Sequence, residues 1–187
     1  FAQYGFMLGL GWKPLGASDV PWPSGLALGP LGWLQVMNFA FFGLTLIIFA
    51  LGLDRAVASR GGLSWAGPTL LVVSGVSLVL AAFETDPHIM AGPQMWHGAI
   101  HLVAFILLVL SFLLSLFFWW RRLRRDATWR GYAPYTLITA ILYIVFVFAS
   151  TWQWGFYLFL ATVLAWVEVM ALHMRSAAET PSAPRVR

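Results

Sequence analysis

The sequence predicts an all-α protein, a polytopic transmembrane helix bundle with five complete spans plus the end of a first one, six in all. Three observations predict it. Of the 187 residues 60% are hydrophobic and only 10% are charged, whereas a soluble domain averages about 25% charged. The apolar residues fall into runs of about twenty, long enough as helices to cross roughly 30 Å of hydrocarbon. Arginine is confined to the polar segments between alternate runs, the pattern of a chain sewn through a membrane. Cysteine is absent, which excludes disulfides, thiolate metal sites and cysteine nucleophiles.

The elements follow in order. Phe1 to Leu10 is apolar but reaches only about 15 Å as a helix. It reads as the outer end of a first spanning helix, with a cleaved signal peptide as the alternative. Gly11 to Pro30 is rich in glycine and proline, with Trp12 and Trp22 suited to the headgroup level, and reads as an interfacial loop. Pro30 suits a helix start, and the uncharged run that follows predicts a span over 31–53. Further spans are expected over 63–83, 95–120, 132–150 and 155–174. Ser74, Gly75 and Ser77 are small enough for close helix contact in the second of these five. Residues 1–174 make one transmembrane bundle, and 175–187, polar and carrying two prolines, read as a disordered cytoplasmic tail.

Orientation follows from the cations. If the segments 54–62, 121–131 and the tail share one side, that side holds ten arginines, and the other holds Lys13 alone. The arginine side is then cytoplasmic, both termini included, and the protein belongs in the cell membrane as a multi-pass protein. The net charge of +4 is thus a topology signal and gives no reason to expect a nucleic-acid partner. The loop Arg121-Arg122-Leu123-Arg124-Arg125 suits anionic lipid headgroups. Trp33, Trp96, Trp119, Trp120, Trp152 and Trp154 join Trp12 and Trp22 in an interfacial belt.

Polar side chains within spans are costly, so each needs a reason. Several share one depth near the outer face. Gln35 and Asn38 lie one turn apart, and Glu84, Asp86 and His88 follow the 63–83 span. His97 and His101, four apart and so on one helix face, lie roughly 3 and 9 Å into the 95–120 span. Thr151 and Gln153 mark the turn between the last two spans. A His-x-x-x-His pair completed by Asp86 or Glu84, with water as a further ligand, is a zinc pattern, which makes His97, His101 and Asp86 candidate metal ligands. Imidazoles bonded to Gln35, Asn38 or a carboxylate as polar glue between helices are the bland alternative. Two-histidine haem ligation would need His173, a bilayer away. Glu168 is the one carboxylate deep in a span. It reads either as buried and bonded to Thr136, Thr139 or Tyr143, or as a proton or cation site.

The segments Leu31 to Phe39, Phe83-Glu84-Thr85-Asp86-Pro87 and Trp96-His97-Gly98-Ala99-Ile100-His101 resemble, in order and spacing, the bacterial membrane proteins grouped as domain of unknown function 998. The resemblance covers nearly the whole chain. It implies six helices and points at Asn38, Asp86, His97 and His101, and it implies no reaction. Three functions remain open. The first is a membrane protein whose polar site takes a small ligand, a lipid headgroup or a metal. The second is a metal-dependent hydrolase acting on lipids, with His97 and His101 as ligands. The third is an accessory subunit of a larger membrane complex, with partner subunits and no site of its own.

Overall fold

A computed structural model describes residues 23–57, 64–86, 93–151 and 155–179. The expected first span, His88, Gln153 and the chain beyond Glu179 lie outside the described residues. Five α-helices are described: α1 Gly32–Ala56, α2 Ala66–Leu80, α3 Trp96–Leu123, α4 Ala133–Phe148 and α5 Gly155–Glu179. Each forms where the apolar run predicts it, because a backbone in hydrocarbon must satisfy its own polar groups. Thr45, Thr139 and Thr162 do likewise, each donating its hydroxyl to the carbonyl one turn back at 2.8 to 2.9 Å. The last helix runs to Glu179, five residues past its expected end, with Arg175 and Glu179 paired at 2.9 Å on its final turn.

Four elements are long and apolar enough to cross a membrane: Gly32–Ala56, Trp96–Leu123, Arg130–Phe148 and Gly155–Ala177. The protein is therefore an all-helical, multi-span membrane bundle with four long spans among the described residues, where the apolar runs predict five complete ones. The difference is α2. Its 15 residues reach about 22 Å, short of the ~30 Å core. The apolar run continues, but the helix ends in turns: Ala82 N–H donates to the Val79 carbonyl and Phe83 N–H to the Leu80 carbonyl, both at 3.1 Å. Run length and helix length part company here because a tight turn costs no apolar residue.

The short helix is the most enclosed. It packs extensively on α1 and on α3; α4 packs on α3 and α5; α5 meets α1 only lightly. Glycine allows the closest approach. A Cβ on Gly43 would stand 2.5 Å from the Gly75 carbonyl oxygen, and one on Gly75 would stand 2.7 Å from that of Gly43, a small-residue contact between α1 and α2. A hydroxyl seam joins α2 to α3, with Ser74 and Ser111 bonded at 2.8 Å and Ser115 donating to the Gly67 carbonyl at 2.9 Å. Beyond it lies an aromatic core. Phe112 stacks on Tyr143 with centroids 5.6 Å apart, and Trp166 donates its indole N–H to Thr136 at 3.1 Å.

At the arginine-rich end Arg122 turns inward. Its guanidinium donates to Asp54 Oδ1 at 2.5 Å and to the carbonyls of Asp54, Val57 and Ser64 at 2.9, 2.6 and 3.3 Å, and it lies 5.0 Å from the Trp119 ring. One side chain thus ties the ends of α1, α2 and α3 together. This amends two expectations. Arg122 is buried, so only Arg121, Arg124 and Arg125 of the loop are exposed. Trp119 is a core residue rather than part of a belt, whereas Trp33, Trp65 and Trp96 are exposed.

Candidate functional site

The opposite end of the bundle is built around the chain leaving α2. After the turn at Phe83 the backbone is no longer helical, so its carbonyls need donors from elsewhere. The two histidines supply them. His101 Nδ1 lies 2.8 Å from the Phe83 carbonyl oxygen and His97 Nδ1 lies 2.8 Å from that of Glu84. A carbonyl can only accept, so each Nδ1 carries its hydrogen and, in the neutral ring, Nε2 holds the lone pair. Spacing at i and i+4 along α3 thus matches two successive carbonyls of the adjoining strand of chain. Phe39 of α1 meets the His101 ring edge-on at 6.1 Å.

Asp86 follows and is 3% exposed. Its Oδ2 accepts the Gln94 N–H at 2.8 Å. The carboxylate lies flat on the first turn of α3, where a Cβ on Gly98 would overlap it. Glycine at that position is what lets the acid approach the helix N-terminus, whose unpaired N–H groups favour a negative charge. The other oxygen, Oδ1, is buried without a hydrogen-bond partner among the described residues.

Between α1, α2, α3 and α5 lies a cavity of about 550 Å³. Its polar lining includes Ser24, Gln35, Asn38, Thr85, Asp86 and His101. Asn38 donates to Gln35 Oε1 at 3.3 Å. The rest is apolar and reaches deeper. Leu108 lies seven residues beyond His101, about 10 Å by helix rise. Phe156, Phe159, Leu160, Val163 and Leu164 of α5 form the facing wall, and no lysine or arginine is in the lining among the described residues. Phe41 and Leu164 line the cavity and are also 73% and 49% exposed. It therefore opens sideways, where α1 and α5 meet only lightly.

Of the sequence-based candidates, Gln35, Asn38, Asp86 and His101 come together on this cavity. Glu84 is exposed and His97 half-buried, and neither is in the lining. His97 instead lies beside Trp96, with Nε2 3.2 Å from the Met95 sulfur. The zinc set of His97, His101 and Asp86 is not assembled: among the described residues no group of three or more such side chains could hold a metal ion. Both imidazoles engage main-chain carbonyls, whereas the polar-glue alternative expected side-chain partners. Glu168 is exposed on α5. The partners expected for it are engaged elsewhere, Thr136 and Thr139 with the turn before them and Tyr143 with the Val109 carbonyl at 3.0 Å. His173 packs between Trp129 and Tyr132, with centroids 4.5 and 4.3 Å away. Sequence reasoning missed Thr85, Gly98 and the α5 wall. Gly98 sits inside the Trp96–His101 motif, but its role depends on a residue from another element.

Fold and cavity together define a class: an integral, multi-span helical membrane protein with a polar-ended cavity between its helices. Residues 23–175 match the family described as Protein of unknown function (DUF998), and the chain belongs to that family. No curated protein and no solved structure matches it.

Proposed function

We propose that this chain is a membrane-embedded binding protein whose cavity takes one amphiphile, with the head at the polar end and the chain along the apolar wall. The observation that carries the reading is the cavity. Its volume of about 550 Å³ lies within the ~300–1,000 Å³ range of small-molecule sites. Its polarity is graded along its depth as an amphiphile's is, and it opens toward lipid. Gln35, Asn38, Asp86 and His101 are the residues we assign to the head. Among the described residues, Arg55, Arg121, Arg122, Arg124, Arg125, Arg130 and Arg175 lie toward the far end and support an orientation in which the cavity faces the outer leaflet and both termini are cytoplasmic. On that reading Arg121, Arg124 and Arg125 meet anionic headgroups of the inner leaflet.

Native mass spectrometry on protein washed extensively in mild detergent tests the binding. Wild type should retain a lipid-mass adduct. Leu164→Trp, which narrows the exposed mouth, should lose most of it while keeping its helical circular dichroism. Equal retention by the two proteins, or none by wild type, would sink the reading.

Glu168 favours a second reading as a subunit. A carboxylate exposed on a helix at membrane depth is expensive in lipid, and a partner helix offering a cation would relieve that cost. Co-purification of a defined membrane partner with wild type, and its loss in Glu168→Leu, is the expected result; an unchanged association would end this reading.

A further inference from the structure

Resting on the reading that the cavity binds an amphiphile, we infer that it selects amphiphiles whose head is an ammonium cation, seated against Asp86. Charge comes first. Among the described residues the lining holds one carboxylate and no lysine or arginine. A phosphate or sulfate head would meet a like charge with nothing to balance it, and a cation meets its counter-ion.

Hydrogen bonding points the same way. Asp86 Oδ2 already has the Gln94 N–H, and Oδ1 is buried with no donor among the described residues. A buried charged acceptor left unmade is costly, and a donor arriving with a positive charge answers it better than a neutral one. The other polar groups, the hydroxyls of Ser24 and Thr85 and the amides of Gln35 and Asn38, can donate as well as accept but bring no positive charge to balance an anion. The His101 Nδ1–H is held by the Phe83 carbonyl, and Asn38 donates to Gln35. Gln35 Oε1 keeps a second lone pair, and the neutral His101 ring keeps one on Nε2; both are acceptors for N–H. Phe39 and Phe156 are also in the lining, and an aromatic ring attracts an ammonium that lies over its face. Gly98 keeps the acid in position, since any side chain there would displace it.

The test uses the full chain in detergent micelles and three single-chain probes of equal length: dodecylamine, dodecanol and dodecyl phosphate. Occupancy is read by native mass spectrometry. Dodecylamine should bind at least tenfold more tightly than dodecyl phosphate. Asp86→Asn should erase the preference for the amine over the alcohol while dodecanol still binds. The wild-type comparison stands even where that variant folds poorly. Phosphatidylethanolamine against phosphatidylglycerol then identifies the source. Preference for the former assigns an aminolipid; preference confined to dodecylamine assigns a free long-chain amine. Dodecyl phosphate binding as tightly as dodecylamine overturns the cation inference and leaves the amphiphile cavity standing. Binding of none of the probes overturns both.

Discussion

Replacing Arg122 by methionine should be the most damaging single substitution at the arginine-rich end. The guanidinium serves four acceptors from two other segments: the Asp54 carboxylate and the carbonyls of Asp54, Val57 and Ser64. Methionine keeps much of the stem's volume and removes every donor. The side chain of Arg122 is 3% exposed and that of Asp54 is 37% exposed, so the two partners respond differently. The carboxylate can rehydrate, which discounts the ~3–5 kcal/mol expected on breaking a fully buried pair. Val57 is fully buried, so its carbonyl cannot. Three lost carbonyl bonds at about 1 kcal/mol each plus about 1 kcal/mol for the discounted ion pair give a total of about 4 kcal/mol. For a chain of this length that is a fall of about 8–16 °C in apparent Tm. Asp54→Asn leaves the three carbonyl bonds in place and should cost only about 1 kcal/mol. Thermal unfolding in detergent, followed by far-UV circular dichroism, measures both. If Asp54→Asn matches Arg122→Met, the three carbonyl bonds contribute nothing to stability. If Arg122→Met melts with wild type, the three-helix clasp has no energetic role.

Gly98→Ala should cost about 1–3 kcal/mol by forcing the Asp86 carboxylate off α3, while Gly131→Ala, where an added Cβ meets nothing within 4 Å, should change stability by less than about 0.5 kcal/mol. Equal melting temperatures for these two variants would show that the carboxylate moves freely. His101→Phe keeps a ring but leaves the Phe83 carbonyl without its donor, a loss of about 1–3 kcal/mol; hydrogen exchange at the α2–α3 connection should rise, and unchanged exchange would count against the histidine as a tether. Glu168→Gln removes a charge with no hydrogen bond or ion pair among the described residues and should leave the isolated protein within about 0.5 kcal/mol of wild type; a larger loss in Tm would reveal a partner. A protease added outside intact cells should leave residues 121–131 uncut, and cleavage there would reverse the proposed orientation.

Class and helix positions were legible because they depend on little beyond the local chain. In hydrocarbon a segment satisfies its backbone by forming a helix or does not cross, so apolar run length predicts helix position whatever the neighbours. Every described helix end but the last lies within three residues of expectation. The last differs because Arg175 and Glu179 support one another one turn apart, a local pair that a reading based on apolarity passes over. The depth of Gln35, Asn38, Asp86 and His101 was also readable, since depth follows from residue number at a fixed rise.

Rotation about the helix axis was not readable. Gly32–Ala56 is apolar on all sides, so nothing in its pattern says which face turns inward. Only packing decided that Trp119 is core and Glu168 surface, and that His101 lines the cavity while His97 stays outside the lining. Only packing brought Arg122 to Asp54, 68 positions away, or laid the Asp86 carboxylate over Gly98. A sequence specifies depth one residue at a time, but which side chains meet at that depth is a property of all the helices at once. That is why the amino-acid sequence determined a multi-span helical membrane protein, and only the tertiary structure decided where its polar groups meet a cavity.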